Sequence, residues 1–177
     1  MFLSSIDTLK LLEKLLCIDK ASIVCIGSPL RADDQAGLIV CDELLNKGYD
    51  VIKCEYGLEN CILELTEKKP SKIIIVDGIV SDKLSPGEVV LVSEDEIVEQ
   101  NISLVTTHNI PINTTTAILR NVIGLKEYYL LGIRVKNIDI GLEVSEEVKN
   151  AVEEVVKTIE GILGKCSEVK AMDKGSS

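Results

Sequence analysis

Four polar side chains stand where apolar segments end or helical spacing begins, and their types suit metal or acid–base chemistry. Asp33 and Asp34 are adjacent in the run Gly27-Ser28-Pro29-Leu30-Arg31-Ala32-Asp33-Asp34-Gln35-Ala36-Gly37. Asp77 follows the apolar run Ile73-Ile74-Ile75-Val76. His108, the single histidine of the chain, stands in Thr106-Thr107-His108-Asn109. One aspartate can cap a helix by accepting a backbone N–H. Two adjacent ones exceed that need, which leaves the second, Asp34, to project into a cleft. Each position also has a structural reading: helix capping for the aspartate pair, a turn dipeptide for Asp77-Gly78, and a non-catalytic imidazole for His108. Taken together, two carboxylates and one imidazole on separate elements form a mixed oxygen and nitrogen donor set. Such a set suits nickel or zinc and keeps a coordination position open for water or substrate. Asp34, Asp77 and His108 are therefore the candidate catalytic and metal-contacting residues, expected to converge in a solvated cleft. Asp33 is left as the cap, and Asp33→Asn is expected to be mild because Asn caps helices about as well.

Other chemistries lack their motifs. There is no G-x-S-x-G elbow and no cysteine in an identifiable protease signature. Gly27 to Gly37 contains neither G-x-G-x-x-G nor G-K-[ST], which removes dinucleotide and P-loop readings. None of the six cysteines (Cys17, Cys25, Cys41, Cys54, Cys61 and Cys166) forms a C-x-x-C pair. Most stand among Leu, Ile and Val, where free cysteine acts as a small apolar residue.

The candidate residues need a scaffold, and the apolar pattern supplies one. Residues 5–17 have helical spacing, with Leu9, Leu12, Leu15 and Leu16 on one stripe. Ser22 to Ile26 is a short continuous apolar run and reads as a buried strand; helical spacing returns over 33–46. Strands are predicted over 49–55, 72–77, 88–92 and 127–133, with Asp77 ending the second of these. Helices are predicted over 58–67, 93–100, 111–121 and 145–163, the third opening on Pro111. The segment from Lys165 to Ser177 is polar and is expected to fray. Strands and helices alternate without an internal repeat or a long linker. The expectation is one α/β domain over residues 1–164: three layers, with a mainly parallel twisted sheet of about five strands between helices. In such folds sites form beyond the carboxyl ends of the strands.

Composition narrows the partners. Hydrophobic residues make up 46% of the 177 and aromatics 3%, so the core must be built from Ile, Val and Leu. A net charge of −10, from 19 basic and 29 acidic residues, argues against nucleic acid or an anionic membrane as partner. The first apolar stretch, Leu9 to Ile18, is interrupted by Lys10, Glu13 and Lys14 and does not read as a secretory signal. The expected location is the reducing cytoplasm.

The run Gly27 to Gly37 resembles the opening motif of the hydrogenase maturation endopeptidases, G-N-x-L-x-x-D-D/E-G-x-G. Ile75-Val76-Asp77 resembles that family's strand-end aspartate, Pro86-Gly87-Glu88 its P-G-E, and Thr106-Thr107-His108-Asn109 its histidine loop, nearest to the branch that matures the hydrogenase of formate hydrogenlyase complexes. The resemblance implies an aspartic-type endopeptidase that trims the C-terminal extension from a nickel–iron hydrogenase large-subunit precursor after nickel insertion. It also implies that Asp34, Asp77 and His108 contact nickel supplied by that precursor. Ser28, Ala32 and Gln35 depart from the pattern, standing where Asn, Gly and Gly are usual. Two other functions stay open on the residues alone: a general metallohydrolase with a small substrate, and a nickel-dependent docking chaperone that does not cut.

Overall fold

The computed structural model describes residues 5–99, 103–104 and 112–174. The chain opens with α1 (Ile6–Glu13), where the Ser5 hydroxyl accepts from the Thr8 N–H at 3.2 Å, as a cap should. It continues through a π-helical turn, Lys14–Ile18, into β1 (Ser22–Gly27). A 3-10 turn at Ala32–Gln35 then leads into α2 (Ala36–Asn46) and β2 (Ile52–Glu55). A second 3-10 turn, Leu58–Cys61, precedes α3 (Ile62–Lys68) and β3 (Lys72–Val80). The rest comprises β4 (Val89–Ser93), α4 (Glu94–Glu99), the short β5 (Ser103–Leu104), α5 (Ile112–Ile123), β6 (Glu127–Arg134) and α6 (Glu146–Lys174).

The sheet order is β2-β1-β3-β6-β4, with β5 paired to β3. β1 runs parallel to β2 and β3, and β3 parallel to β6, while β4 and β5 are antiparallel additions. Side chains alternate across this sheet, so each central strand feeds two cores. On one face Cys25, Ile74, Val76 and Leu131 pack with Leu12 of α1, Val40 and Leu44 of α2 and Val155 and Ile159 of α6. On the other, Val24, Ile26, Ile73, Ile75 and Leu130 pack with Leu65 of α3 and Leu119 of α5. Continuous β-branched runs such as Ile73 to Val76 are what a strand covered on both faces requires. The three-layer architecture is the one the alternating pattern predicts.

Three local expectations change. β3 does not end at Asp77 but runs on to Val80, because β6 keeps pairing with it as far as Ile79↔Arg134. α6 continues past Leu163 through Lys174, so residues 165–174, expected to fray, have helical backbone. That polar stretch gives no apolar period, yet its Lys, Glu, Ala and Met are good helix formers and nothing in it breaks a helix. The cysteines are not free: they pair as Cys17–Cys166, Cys25–Cys41 and Cys54–Cys61, with Cα separations of 5.4, 5.9 and 5.6 Å. Proximity in space, invisible in the spacing, makes these pairs. They fasten α6 to the end of the first helix, α2 to β1, and the turn after β2 to that strand. Paired cysteines of this kind belong to oxidising compartments or to the interiors of hyperthermophiles.

Candidate active site

The strand order places β2 and β3 on opposite sides of β1. The chain therefore leaves β1 in one direction and returns on the other side, which opens a crevice beyond the carboxyl ends of β1 and β3. Pairing of β1 with β3 stops at Cys25↔Val76, so Asp77 is the first residue of β3 past that register. The turn carrying Asp33 and Asp34 packs against β3 at the same end. Two glycines allow this approach. A Cβ on Gly27 would lie 2.2 Å from the Asp34 carbonyl oxygen. One on Gly37 would lie 2.2 Å from the Ile26 carbonyl oxygen and 2.5 Å from that of Val76, the neighbour of Asp77. Gly37→Ala is therefore expected to push the start of α2 off the sheet. The cost should be about 1–3 kcal/mol. Thermal unfolding of the variant against wild type checks this.

Asp34 and Asp77 are both fully buried, at 0% exposure, not set in a wet cleft as expected. An Asp77 carboxylate oxygen accepts from the Gly78 N–H at 2.8 Å, which fixes its direction at the strand's exit from the β1 register. His108 lies outside the described residues, on the segment that leads into α5. Among the described residues no three His, Cys, Asp or Glu side chains group in a way that could hold a metal.

Asp33 is not a helix cap. The 3-10 turn begins after Arg31 with no side-chain cap, and Asp33 reaches away from its own helix. Its fully buried carboxylate accepts from the Lys136 N–H (2.8 Å), the Asn137 N–H (2.7 Å), the Ser145 N–H (2.6 Å) and the Ser145 hydroxyl (2.9 Å). Burial alone would raise its pKa, but these donors together hold the carboxyl below its ordinary value of 3.8. The aspartate thereby binds the turn after β1 to the loop after β6 and to the start of α6. Two departures from the family pattern contribute to the same seam. Ala32 has a φ of 35°, the left-handed region that favours glycine, and its N–H donates to the Gly141 carbonyl at 2.7 Å. The Gln35 side-chain amide donates to the carbonyls of Ala32 (2.9 Å) and Leu142 (3.2 Å), a link a glycine cannot make.

Sequence reasoning also passed over Glu59, in the turn after β2. One of its carboxylate oxygens is buried without a hydrogen-bond partner. A Cβ on Gly57 would lie 2.3 Å from that oxygen, so the glycine makes room for it. A lone acidic residue in a polar turn gave no signal of this.

Comparison with known proteins agrees with the geometry. The sequence profile described as hydrogenase maturation protease matches residues 48–162, a span that includes Asp77 and His108. A protein of Methanocaldococcus jannaschii carrying a provisional name as a hydrogenase maturation protease is 34% identical over 164 residues, covering 86% of this chain and 94% of its own. Among solved structures, the [NiFe] hydrogenase maturation protease HybD of Thermococcus kodakarensis superimposes with a TM-score of 0.65 at 33% identity, over 80% of this chain and 98% of that one. The endopeptidase HycI of Escherichia coli gives the same TM-score of 0.65 at 28% identity, over 80% of this chain and 89% of that one.

Proposed function

Because the chain belongs to the hydrogenase maturation protease family, we propose that it is the endopeptidase that removes the C-terminal extension of a nickel–iron hydrogenase large-subunit precursor after nickel insertion. The observation that carries the reading is the pair of fully buried aspartates, Asp34 and Asp77, at the β1/β3 switch point of a family fold. Carboxylates held out of water are stabilised by positive charge brought against them. A divalent ion presented by the precursor would supply that charge, with His108 as the third contact. In this reading nickel is part of the substrate. Asp34 and Asp77 would hold it, and its positive charge would be available to a scissile carbonyl or a water beside it. The trigger and the recognition element then coincide, since a precursor without nickel offers the two carboxylates nothing to engage. The aspartic-type assignment and a cytoplasmic location belong to the same proposal. The described residues contain no helix long and apolar enough to cross a membrane, which is compatible with that location.

The test mixes purified protein with nickel-loaded and nickel-free precursor and reads the mass of the large subunit. The expected result is one cut near the C-terminus of the loaded form and none of the empty form. Equal cutting of both would remove nickel sensing. Cutting of neither would favour a docking chaperone.

A further inference from the structure

The three disulfides differ in what surrounds them. Cys25 and Cys41 are 0% exposed, Cys54 1% and Cys61 6%. Cys17 and Cys166 are only partly buried, packed against the rim of the core. Thiol–disulfide exchange needs a thiolate to reach a sulfur atom. A pair sealed in a core is shielded until the fold opens, whereas a pair at the surface can be attacked in the folded state. Position separates them as well. Cys25–Cys41 and Cys54–Cys61 join neighbouring elements across 16 and 7 residues, while Cys17–Cys166 spans 149 and ties the turn after α1 to α6. Towards its end α6 has few other anchors. Among the residues whose burial is described, Ile162 is the last buried one of the helix, and Gly164 and Lys165 are exposed. The Lys47–Glu160 ion pair to α2 lies before that point. A short polar helical stretch is marginal without packing, yet residues 165–174 are helical. Cys166 is the covalent anchor of that stretch.

We propose that Cys17–Cys166 is a redox-sensitive clasp, opened by an external dithiol while the two buried disulfides stay closed, and that opening it frees α6 beyond Leu163. The chemistry is ordinary exchange. A thiolate of the dithiol attacks one sulfur and expels the other cysteine as a thiolate, which takes up a proton. The second thiol of the reductant then displaces the remaining cysteine and closes its own disulfide. Two electrons and two protons pass to the cysteine pair, and the dithiol is oxidised. A disulfide-bearing oxidant reverses the exchange. In a reducing compartment the clasp is therefore open and the core pairs persist. The inference stands apart from the proposed function, because it uses neither Asp34 nor Asp77.

The experiment titrates the folded full chain with dithiothreitol, traps free thiols with N-ethylmaleimide and locates the labels by mass spectrometry. The first two labels are expected on Cys17 and Cys166, with Cys25, Cys41, Cys54 and Cys61 unlabelled until a higher reductant concentration. Trypsin should then cut after Lys165 and Lys170 at least about tenfold faster than in the oxidised protein, since cleavage follows the population of the opened form. The C17S/C166S pair should show that faster cleavage without reductant. Its Tm should be lower by about 10–15 °C, as expected for loss of so long a covalent loop. Labelling of Cys25, Cys41, Cys54 or Cys61 together with or before Cys17 and Cys166 overturns the proposal. So does labelling of all six cysteines without reductant. Unchanged trypsin resistance in the opened wild-type protein overturns it too, and that readout requires no variant to fold.

Discussion

Asp77→Asn and His108→Ala are each expected to reduce precursor cleavage by about a hundredfold to a thousandfold, while the protein stays folded. The size follows from their assigned role: groups that contact the metal next to the reacting bond contribute to the transition state directly, where a single lost electrostatic contact costs about 10²–10³ in rate. Retained folding follows from the environment. Asp77 is fully buried in β3, and Asn fills the same volume without requiring a charge to be held out of water. The cross-strand register Asp77↔Gly132 is made by backbone and is untouched by the change. The measurement pairs large-subunit mass spectrometry with thermal unfolding. If Asp77→Asn loses more than about 1 kcal/mol of stability, the carboxylate is a structural device and its loss of activity says nothing about chemistry.

The largest stability effect is expected at the neighbouring aspartate. Asp33→Ala removes one acceptor group and strands three backbone N–H donors and one hydroxyl, all previously paired with it. Hydrogen bonds to a charged partner are worth about 1.5–3 kcal/mol each and are not additive, so a loss of roughly 3–5 kcal/mol is expected. Asp33→Asn should not be mild, contrary to what a capping role predicts. Both oxygens face donors, so either orientation of the amide sets an NH2 group against an N–H. Acid titration gives a second readout. The Asp33 carboxyl titrates below 3.8 in the fold, so its contribution is complete above its unfolded pKa and is lost as pH falls through the lower folded value. Wild-type stability should drop more steeply than that of Asp33→Ala below about pH 4. Parallel slopes, or a cost under about 1 kcal/mol, would mean that the seam holds without the carboxylate.

Much of the fold was legible because it depends on local pattern. The apolar runs Ser22 to Ile26 and Ile73 to Val76 are short and β-branched, which favours buried strands, and Leu9, Leu12, Leu15 and Leu16 have the spacing of one helix face. Their alternation implies a parallel sheet between helical layers, and a parallel sheet implies a site at the strand ends. Thus Asp34 and Asp77 could be picked out before their positions were known. Helix and strand limits were less legible where a partner decides them. β3 extends past Asp77 because β6 offers another two positions of pairing, which the sequence of β3 does not contain.

The sequence by itself determined the class of fold and the family, and it supplied the residues proposed for the site. Each of these follows from short-range spacing and side-chain type. Tertiary structure alone decided which of the two adjacent aspartates is the clamp, since Asp33 and Asp34 are chemically identical and differ only in what faces them. It decided that Asp34 and Asp77 are buried, because burial depends on elements far away in sequence closing over a position. It decided that six cysteines without a motif are three disulfides, one across a separation of 149 residues. It also brought Leu30 against Gly141, bonding the loops after β1 and β6 to each other. Contacts between distant residues are set by how the layers pack, and no local pattern records them.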